Sequence, residues 1–114
     1  LLTEPVEKVR AEADAERRQM LALVAARGLV PADPSERQVV EALHRLVGSS
    51  PAALFGVALV DAVGERRAQN QPGTDNEYPN WRVPLADSAG RLVMVEDLFE
   101  NPRLASLVAA IRGW

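Results

Sequence analysis

The chain contains no cysteine, which excludes a disulfide framework, a thiolate metal site and a cysteine nucleophile. A single histidine, His44, cannot build a zinc centre of the usual kind. Positive charge is in deficit. Thirteen Lys and Arg stand against sixteen Asp and Glu, for a net charge of −3, so the basic footprint of a nucleic-acid binder is missing. No long hydrophobic run is present: the longest uncharged stretch, Leu46 to Val60, is broken by Gly48-Ser49-Ser50-Pro51 and falls short of the ~18 apolar residues of a membrane helix. Leu1-Leu2-Thr3 offers no initiator Met, basic n-region or signal-peptide apolar core. Glycine-rich phosphate loops, His-Glu-x-x-His and Gly-x-Ser-x-Gly are absent as well. These absences predict a soluble cytoplasmic chain with no metal, cofactor, nucleic acid or membrane as partner, one that reads as beginning inside a longer protein.

What remains has the composition of an ordinary globular domain, with 47% apolar and 25% charged residues over 114 positions. Residues 1–48 read as a helical segment of two helices. The first is predicted over Thr3–Arg27, with Thr3 as cap, Pro5 in the first turn and Gly28 as the C′ residue. Glu4–Lys8 and Asp14–Arg18 are i,i+4 pairs in the favourable order. Val6, Val9, Ala13, Met20, Leu23 and Val24 form an apolar stripe, too short for a coiled coil and suited to a neighbouring surface. The second helix opens at Ser35, with Gln38 in capping-box spacing. It buries Val39, Val40, Leu43, Leu46 and Val47, and ends at Gly48. His44 sits beside that stripe with no Asp or Ser neighbour in sequence, and reads as structural.

The period then changes. Residues 49–114 open on Leu54-Phe55-Gly56-Val57-Ala58-Leu59-Val60, an apolar run without alternation, the pattern of a strand buried on both faces of a parallel sheet. No second run of this kind occurs, so the segment is expected as a strand, or as an exposed apolar stretch whose open backbone invites self-association. Val83–Leu85 and Leu92–Val95 read as a short edge hairpin around Asp87–Gly90, and Glu96–Glu100 as a helical turn. Asn101-Pro102 opens a last helix carrying Leu104, Leu107, Val108 and Ile111, closed by Arg112-Gly113.

Chemistry concentrates between the apolar run and the hairpin. Asp61, Glu65, Asp75 and Glu77 are carboxylates near a strand end, and a flanking pair of carboxyls is what glycoside chemistry needs, although acid pairs are also common on any surface. The segment Asn70-Gln71-Pro72-Gly73-Thr74-Asp75-Asn76-Glu77-Tyr78-Pro79-Asn80-Trp81 combines carboxamides, two prolines, a glycine and two of the five aromatics. Pro72-Gly73 suits the centre of a type II turn. Carboxamides donate and accept as sugar hydroxyls do, and aromatic rings suit the CH face of a pyranose. Two readings stay open: a ligand-binding loop, or a rigid connector whose Trp81 anchors it to the core.

The segment closely resembles the signature Asn-x-Pro-Gly-Thr-x-x-Glu-Tyr-Pro-Asn-Trp of the 4-alpha-glucanotransferases (amylomaltase, or disproportionating enzyme). All nine specified positions match, and Arg82 continues the pattern. The flanks at Val57–Gly64 and Val95–Phe99 are also similar to that family. The resemblance implies an α/β fold, the C-terminal part of a (β/α)8 TIM barrel that needs about 250 residues. This chain would supply the last barrel strand, the substrate loop 69–82 and the closing helix, and would be mainly helical in isolation, with the rest of the barrel as partner. The implied reaction moves α-1,4-glucan segments between maltooligosaccharides by a retaining double displacement, without a cofactor. The family's three acids lie upstream, one of them in a His-Asp pair, whereas His44 here is followed by Arg45. No catalytic residue is therefore expected in this chain. Asn70 is the carried-over glucan contact, with Gly73, Asn80 and Trp81 as loop shapers or sugar contacts; Gln71 departs from the family's frequent Leu. The alternatives are a non-catalytic helical module that binds oligosaccharide, and a structural protein that pairs through its first helix.

Overall fold

The computed structural model describes residues 3–112. Its elements are α1 (Val6–Ala26), α2 (Glu36–Gly48), α3 (Leu59–Val63), a 3₁₀ helix at Glu96–Glu100 and α4 (Pro102–Arg112). Helix ends follow local chemistry. Pro5, not Thr3, takes the N-cap of α1, and no side chain caps it. The residue before a proline is pushed out of the helical region, so Glu4 cannot begin a helix and Thr3 lies too far from its first N–H groups. At the other end Gly28 adopts φ +68. The Gly28 and Leu29 N–H groups donate to the Ala25 and Val24 carbonyls at 2.9 and 3.0 Å, a Schellman closure. Lys8 pairs with Glu4 at 2.7 Å and Glu12 at 3.8 Å, while Asp14 and Arg18 form no ion pair among the described residues.

Ser35 and Gln38 build the reciprocal capping box, with Ser35 N–H to Gln38 Oε1 at 2.8 Å and Gln38 N–H to Ser35 Oγ at 3.3 Å. Gly48 is the last residue of α2, as expected, but without a left-handed backbone. Ser49, at φ −77, closes the helix because its N–H and its hydroxyl both donate to the last-turn carbonyls of Arg45 and Leu46. Asn101 Oδ1 accepts the N–H groups of Arg103 and Leu104, each at 3.0 Å, and Pro102 follows it as the first helical residue. Gly113, expected to close this helix, lies outside the described residues.

The most extensive helix pairing is α2 on α4; α1 leans on α2 and α3 on α4. Val24, Ala42, Ala62, Val63, Ala86, Leu107 and Ala110 form the core. Polar ties cross the same seams. Ser106 Oγ donates to Glu41, and Arg45 Nε donates to the Ala110 carbonyl at 3.2 Å. Arg103 grips both Glu36 oxygens at 2.8 Å and also reaches the Asp61 carbonyl. That guanidinium lies on Gly64, whose φ is +82 and where a Cβ would come within 3.0 Å of Arg103 Cζ. The turn after α3 therefore needs glycine twice over, for its backbone and for the close approach.

Three sequence expectations change. Leu54–Val60 is not a strand: residues 54–58 carry no regular structure and Leu59–Val60 already belong to α3. Leu54 is 91% exposed, and Val57 and Leu59 are open too. A strand exists only with a ladder partner, and among the described residues none lies alongside. The expected hairpin shrinks to one antiparallel bridge, Ala86 with Leu92. Pro84 has no N–H to offer a ladder, and Asp87 Oδ1 draws the Ala89 and Arg91 N–H groups into a turn. Finally, of the α1 stripe only Val24 is buried, while Val6, Met20 and Leu23 stay open, as does Val47 on α2.

These open positions add up. The accessible surface is 8654 Å² for 12.4 kDa, against about 6,100 Å² for a globular monomer of that mass. The radius of gyration is 16.2 Å, against roughly 13 Å for a compact chain of this length. The helical framework holds together, but much of its apolar surface faces outward. Among the described residues no helix is long and apolar enough to cross a membrane.

Candidate functional site

The loop 69–82 hangs from a single carboxylate. Glu65 Oε1 accepts the N–H groups of Arg66 and Arg67 at 2.9 Å and Arg67 Nε at 3.0 Å. Its Oε2 accepts Arg67 Nη2 at 2.7 Å and the Ala86 N–H at 2.9 Å. Arg67 Nη2 also donates to the Pro84 carbonyl at 2.7 Å. One side chain thus joins the leg entering the loop to the leg leaving it, and that side chain is only 2% exposed. The Arg67 guanidinium, helped by the Arg67 and Ala86 N–H groups against the opposing effect of burial, lowers the Glu65 pKa from an ordinary 4.5 to about 2.

A carboxylate held this low stabilises the fold fully above pH 4.5, and that contribution is lost as pH falls towards about 2. Acid titration followed by carbon-detected NMR of the Glu65 carboxyl is therefore expected to give a midpoint near 2, with the loop root loosening across the same window. A midpoint at 4.5 would contradict the clasp.

Within the loop, Pro72-Gly73 forms the expected type II turn. Gly73 has φ +82, and the Thr74 N–H and hydroxyl both donate to the Gln71 carbonyl, at 3.2 and 2.7 Å. Asn80 spans the loop from the far side. Its Oδ1 accepts the Gln71 N–H at 2.7 Å, and its Nδ2 donates to Thr74 O at 3.2 Å and Thr74 Oγ1 at 3.0 Å. The Tyr78 hydroxyl donates to the Ala68 carbonyl, and the Trp81 N–H donates to Gln69 O at 2.8 Å. Asn80, Thr74, Tyr78 and the Trp81 N–H thus brace the loop from within.

The side chains of Asn70, Gln71, Asp75, Asn76, Trp81 and Arg82 make no hydrogen bond among the described residues, and two of them stand at the ends of the loop. No hydrogen bond among the described residues holds the Asn70 carboxamide, which is exposed at the loop's entry. Trp81 is 76% exposed, so it is not a core anchor. It is also the one non-glycine residue with positive φ among those described, at +60. An aromatic residue held there stores about 1–3 kcal/mol of strain. The Trp81 N–H bond and the clasps of Asn80 and Glu65 hold that conformation. Next to Asn70, the Gln69 Nε2 group is shut off from solvent without a hydrogen-bond partner among the described residues. Buried amide donors are almost always satisfied.

Three of the four acids singled out by spacing, Asp61, Glu65 and Glu77, have other partners. Glu65 is consumed by its five donors. Glu77 Oε2 accepts the Asp75 N–H at 2.8 Å, which holds that carboxyl below its usual range. Asp61 faces His44, with Oδ2 3.9 Å from Nε2. His44 therefore does have an acidic neighbour, brought to it by the packing of α3 and invisible in the sequence spacing. Its Nδ1 lies 2.7 Å from the Val40 carbonyl, and its ring meets Phe55 edge-on at 6.1 Å. The groove these residues line shares no residue with the loop. Among the described residues no cluster of His, Cys, Asp and Glu could hold a metal ion.

Comparison with known proteins places this loop in a family: a model of the 4-alpha-glucanotransferases (glycoside hydrolase family 77) matches residues 5–89. The chain belongs to the 4-alpha-glucanotransferase family. It is 47% identical to the 4-alpha-glucanotransferases of Mycobacterium bovis and Mycobacterium tuberculosis over 99% of its own length. It spans 16% of the length of those relatives. Among solved structures, the amylomaltase of Corynebacterium glutamicum superposes with a TM-score of 0.87 at 36% identity. That match covers 96% of this chain and 17% of the amylomaltase. The helices and the clasped loop thus superpose on a solved 4-alpha-glucanotransferase structure.

Proposed function

We propose that this chain is the substrate-cleft wall of a 4-alpha-glucanotransferase of the cytoplasm, the C-terminal part of a (β/α)8 barrel. In this reading residues 1–48 are the helical segment, residues 54–58 are the last barrel strand, loop 69–82 meets the glucan, and α4 closes the barrel. The observation that carries it is the combination of an unbonded carboxamide, Asn70, and an open, strained indole, Trp81, on a loop braced from within by Asn80, Thr74 and Tyr78. A carboxamide presents both donor and acceptor to neighbouring sugar hydroxyls. An exposed indole offers a flat apolar face to a pyranose ring. Gly73 and Asn80 shape the loop, and the rest of the barrel covers the apolar surface that stands open.

The transfer proceeds by double displacement with retention. One carboxylate attacks the anomeric carbon, and a carboxylic acid protonates the leaving oxygen. The same group then deprotonates the incoming sugar hydroxyl as the covalent intermediate is released. In this reading those carboxyls stand on other strands of the barrel, because Glu65 and Glu77 are engaged by N–H donors and cannot serve. Asn70 and Trp81 hold the maltooligosaccharide in register while that chemistry occurs.

The roles of the two asparagines separate experimentally. In the intact enzyme, Asn70→Ala is expected to lower kcat/KM on maltotriose about fivefold to tenfold, the worth of about 1 kcal/mol from a neutral hydrogen bond. Its thermal midpoint is expected to stay unchanged, since Asn70 holds nothing within the fold. Asn80→Ala is expected to lower both, because it strands the Gln71 N–H and frees Thr74. Equal disproportionation kinetics for Asn70→Ala and the parent would remove Asn70 from the site.

A further inference from the structure

We propose that Glu65 is a positioning residue for the glucan loop, its buried carboxylate fixing the separation of the two legs and hence where Asn70 and Trp81 stand against the substrate. The inference rests on the reading above that this loop meets the glucan. Four backbone and guanidinium donors from residues 66 and 67 converge on Glu65 from the entering leg, and the Ala86 N–H reaches it from the leaving leg. Arg67 completes the closure by donating to Pro84. The remaining ties are Asn80 to Gln71 and Thr74, Thr74 to Gln71, and, at the neck of the loop, Tyr78 to Ala68 and Trp81 N–H to Gln69 O; they preserve its shape. The bridge between Ala86 and Leu92 belongs to the leaving leg alone. Glu65 therefore decides where an already braced loop is placed.

The chemistry of the clasp makes it sensitive to small changes. Only a carboxylate offers acceptors on both oxygens. In Glu65→Gln one oxygen becomes an NH₂ group, whose hydrogens would face the Ala86 N–H or the Arg67 guanidinium. Glu65→Asp keeps both acceptors but is one methylene shorter, so it reaches one leg properly and the other poorly. Misplacement of a substrate-positioning group by about 1 Å costs up to about a hundredfold in rate. Similar chemistry elsewhere in the chain supplies a control: Glu36 grips Arg103 through two 2.8 Å bonds, tying α2 to α4 outside the loop.

The test uses the intact glucanotransferase with maltotriose as the probe. A parent enzyme that redistributes maltotriose establishes the functional reading independently; a parent that does not would defeat that reading before any variant is compared. With an active parent, E65Q is expected to raise KM about tenfold while kcat changes by less than roughly threefold, as loss of ground-state placement requires. Hydrogen exchange is expected to quicken in peptides covering residues 65–86 and not elsewhere. E65D should fall between parent and E65Q in both readouts. E36Q should lower the thermal midpoint and leave KM and loop exchange unchanged. Should E65Q fail to fold, E65D carries the comparison alone. An unchanged KM in E65D, or equal KM shifts in the Glu65 and Glu36 variants, or exchange that rises throughout the chain, would overturn the positioning role.

Discussion

Leu107→Ala is expected to cost about 3 kcal/mol and shift the urea midpoint of the 114-residue chain by about 2–3 M. Leu107 heads the short group of fully buried large side chains, with Val24 and Val63, and is 2% exposed. It lies on α4, whose pairing with α2 is the most extensive among the described helices, and the same core includes the small residues Ala42 and Ala110. Alanines cannot lean inward to refill the space a leucine leaves, so truncation removes its burial and leaves a void as well. The rest of the chain has little reserve. It exposes about 2,500 Å² more than a globular monomer of its mass would, so its stability lies at or below the low end of the usual 5–15 kcal/mol. Leu54→Ala is the matched control. That side chain is 91% exposed, and its loss is expected to change stability by less than about 0.5 kcal/mol. Far-ultraviolet circular dichroism in urea measures both variants. Equal midpoints for the two would show that the α2–α4 seam does not hold the fold.

The sequence was most legible where chemistry is local. Ser35 with Gln38, Asn101 with Pro102, and Pro72-Gly73 each specify a backbone geometry within three or four residues, and each forms as read. Gly28 works the same way; Gly48 also ends its helix, but Ser49 satisfies the last-turn carbonyls there without a left-handed residue. Pairing across distance was less legible. The Leu54–Val60 run has the composition of a buried strand, yet a ladder needs a neighbour that periodicity cannot supply. His44 and Asp61 meet only because α3 packs where it does.

The site divides along the same line. The turn at Gly73 and the amide-rich, aromatic character of the loop are written in consecutive residues. That Asn80 is spent inside the loop, while Asn70 is free, depends on which carbonyls and N–H groups come within reach. In the sequence Glu65 is one acid among several near an expected strand end. Its role as a clasp arises from Ala86, far along the chain, and from the guanidinium of Arg67. Two signals could have found it: an acid placed two residues before an arginine, and an apolar alanine expected to bury its own N–H after a proline.

The largest expected effect concerns catalysis by the chain itself, which should be nil. Retaining transfer needs two carboxyl groups about 5 Å apart on either side of the scissile bond, mounted on a rigid frame. Here Glu65 is enclosed by N–H donors and Glu77 is tied to the Asp75 backbone. Asp75 and Glu77 share one loop, so neither offers the opposing wall a second carboxyl requires. Loss of a single member of a cooperating catalytic set can remove about six orders of magnitude in kcat.

Incubation of the purified 114-residue chain with maltotriose, followed by chromatography of glucose and longer maltooligosaccharides, tests this most directly. The account predicts a product profile indistinguishable from a heat-killed control, while the intact enzyme redistributes the same substrate. Redistribution by the chain alone, abolished by Asp75→Asn or Glu77→Gln, would contradict it.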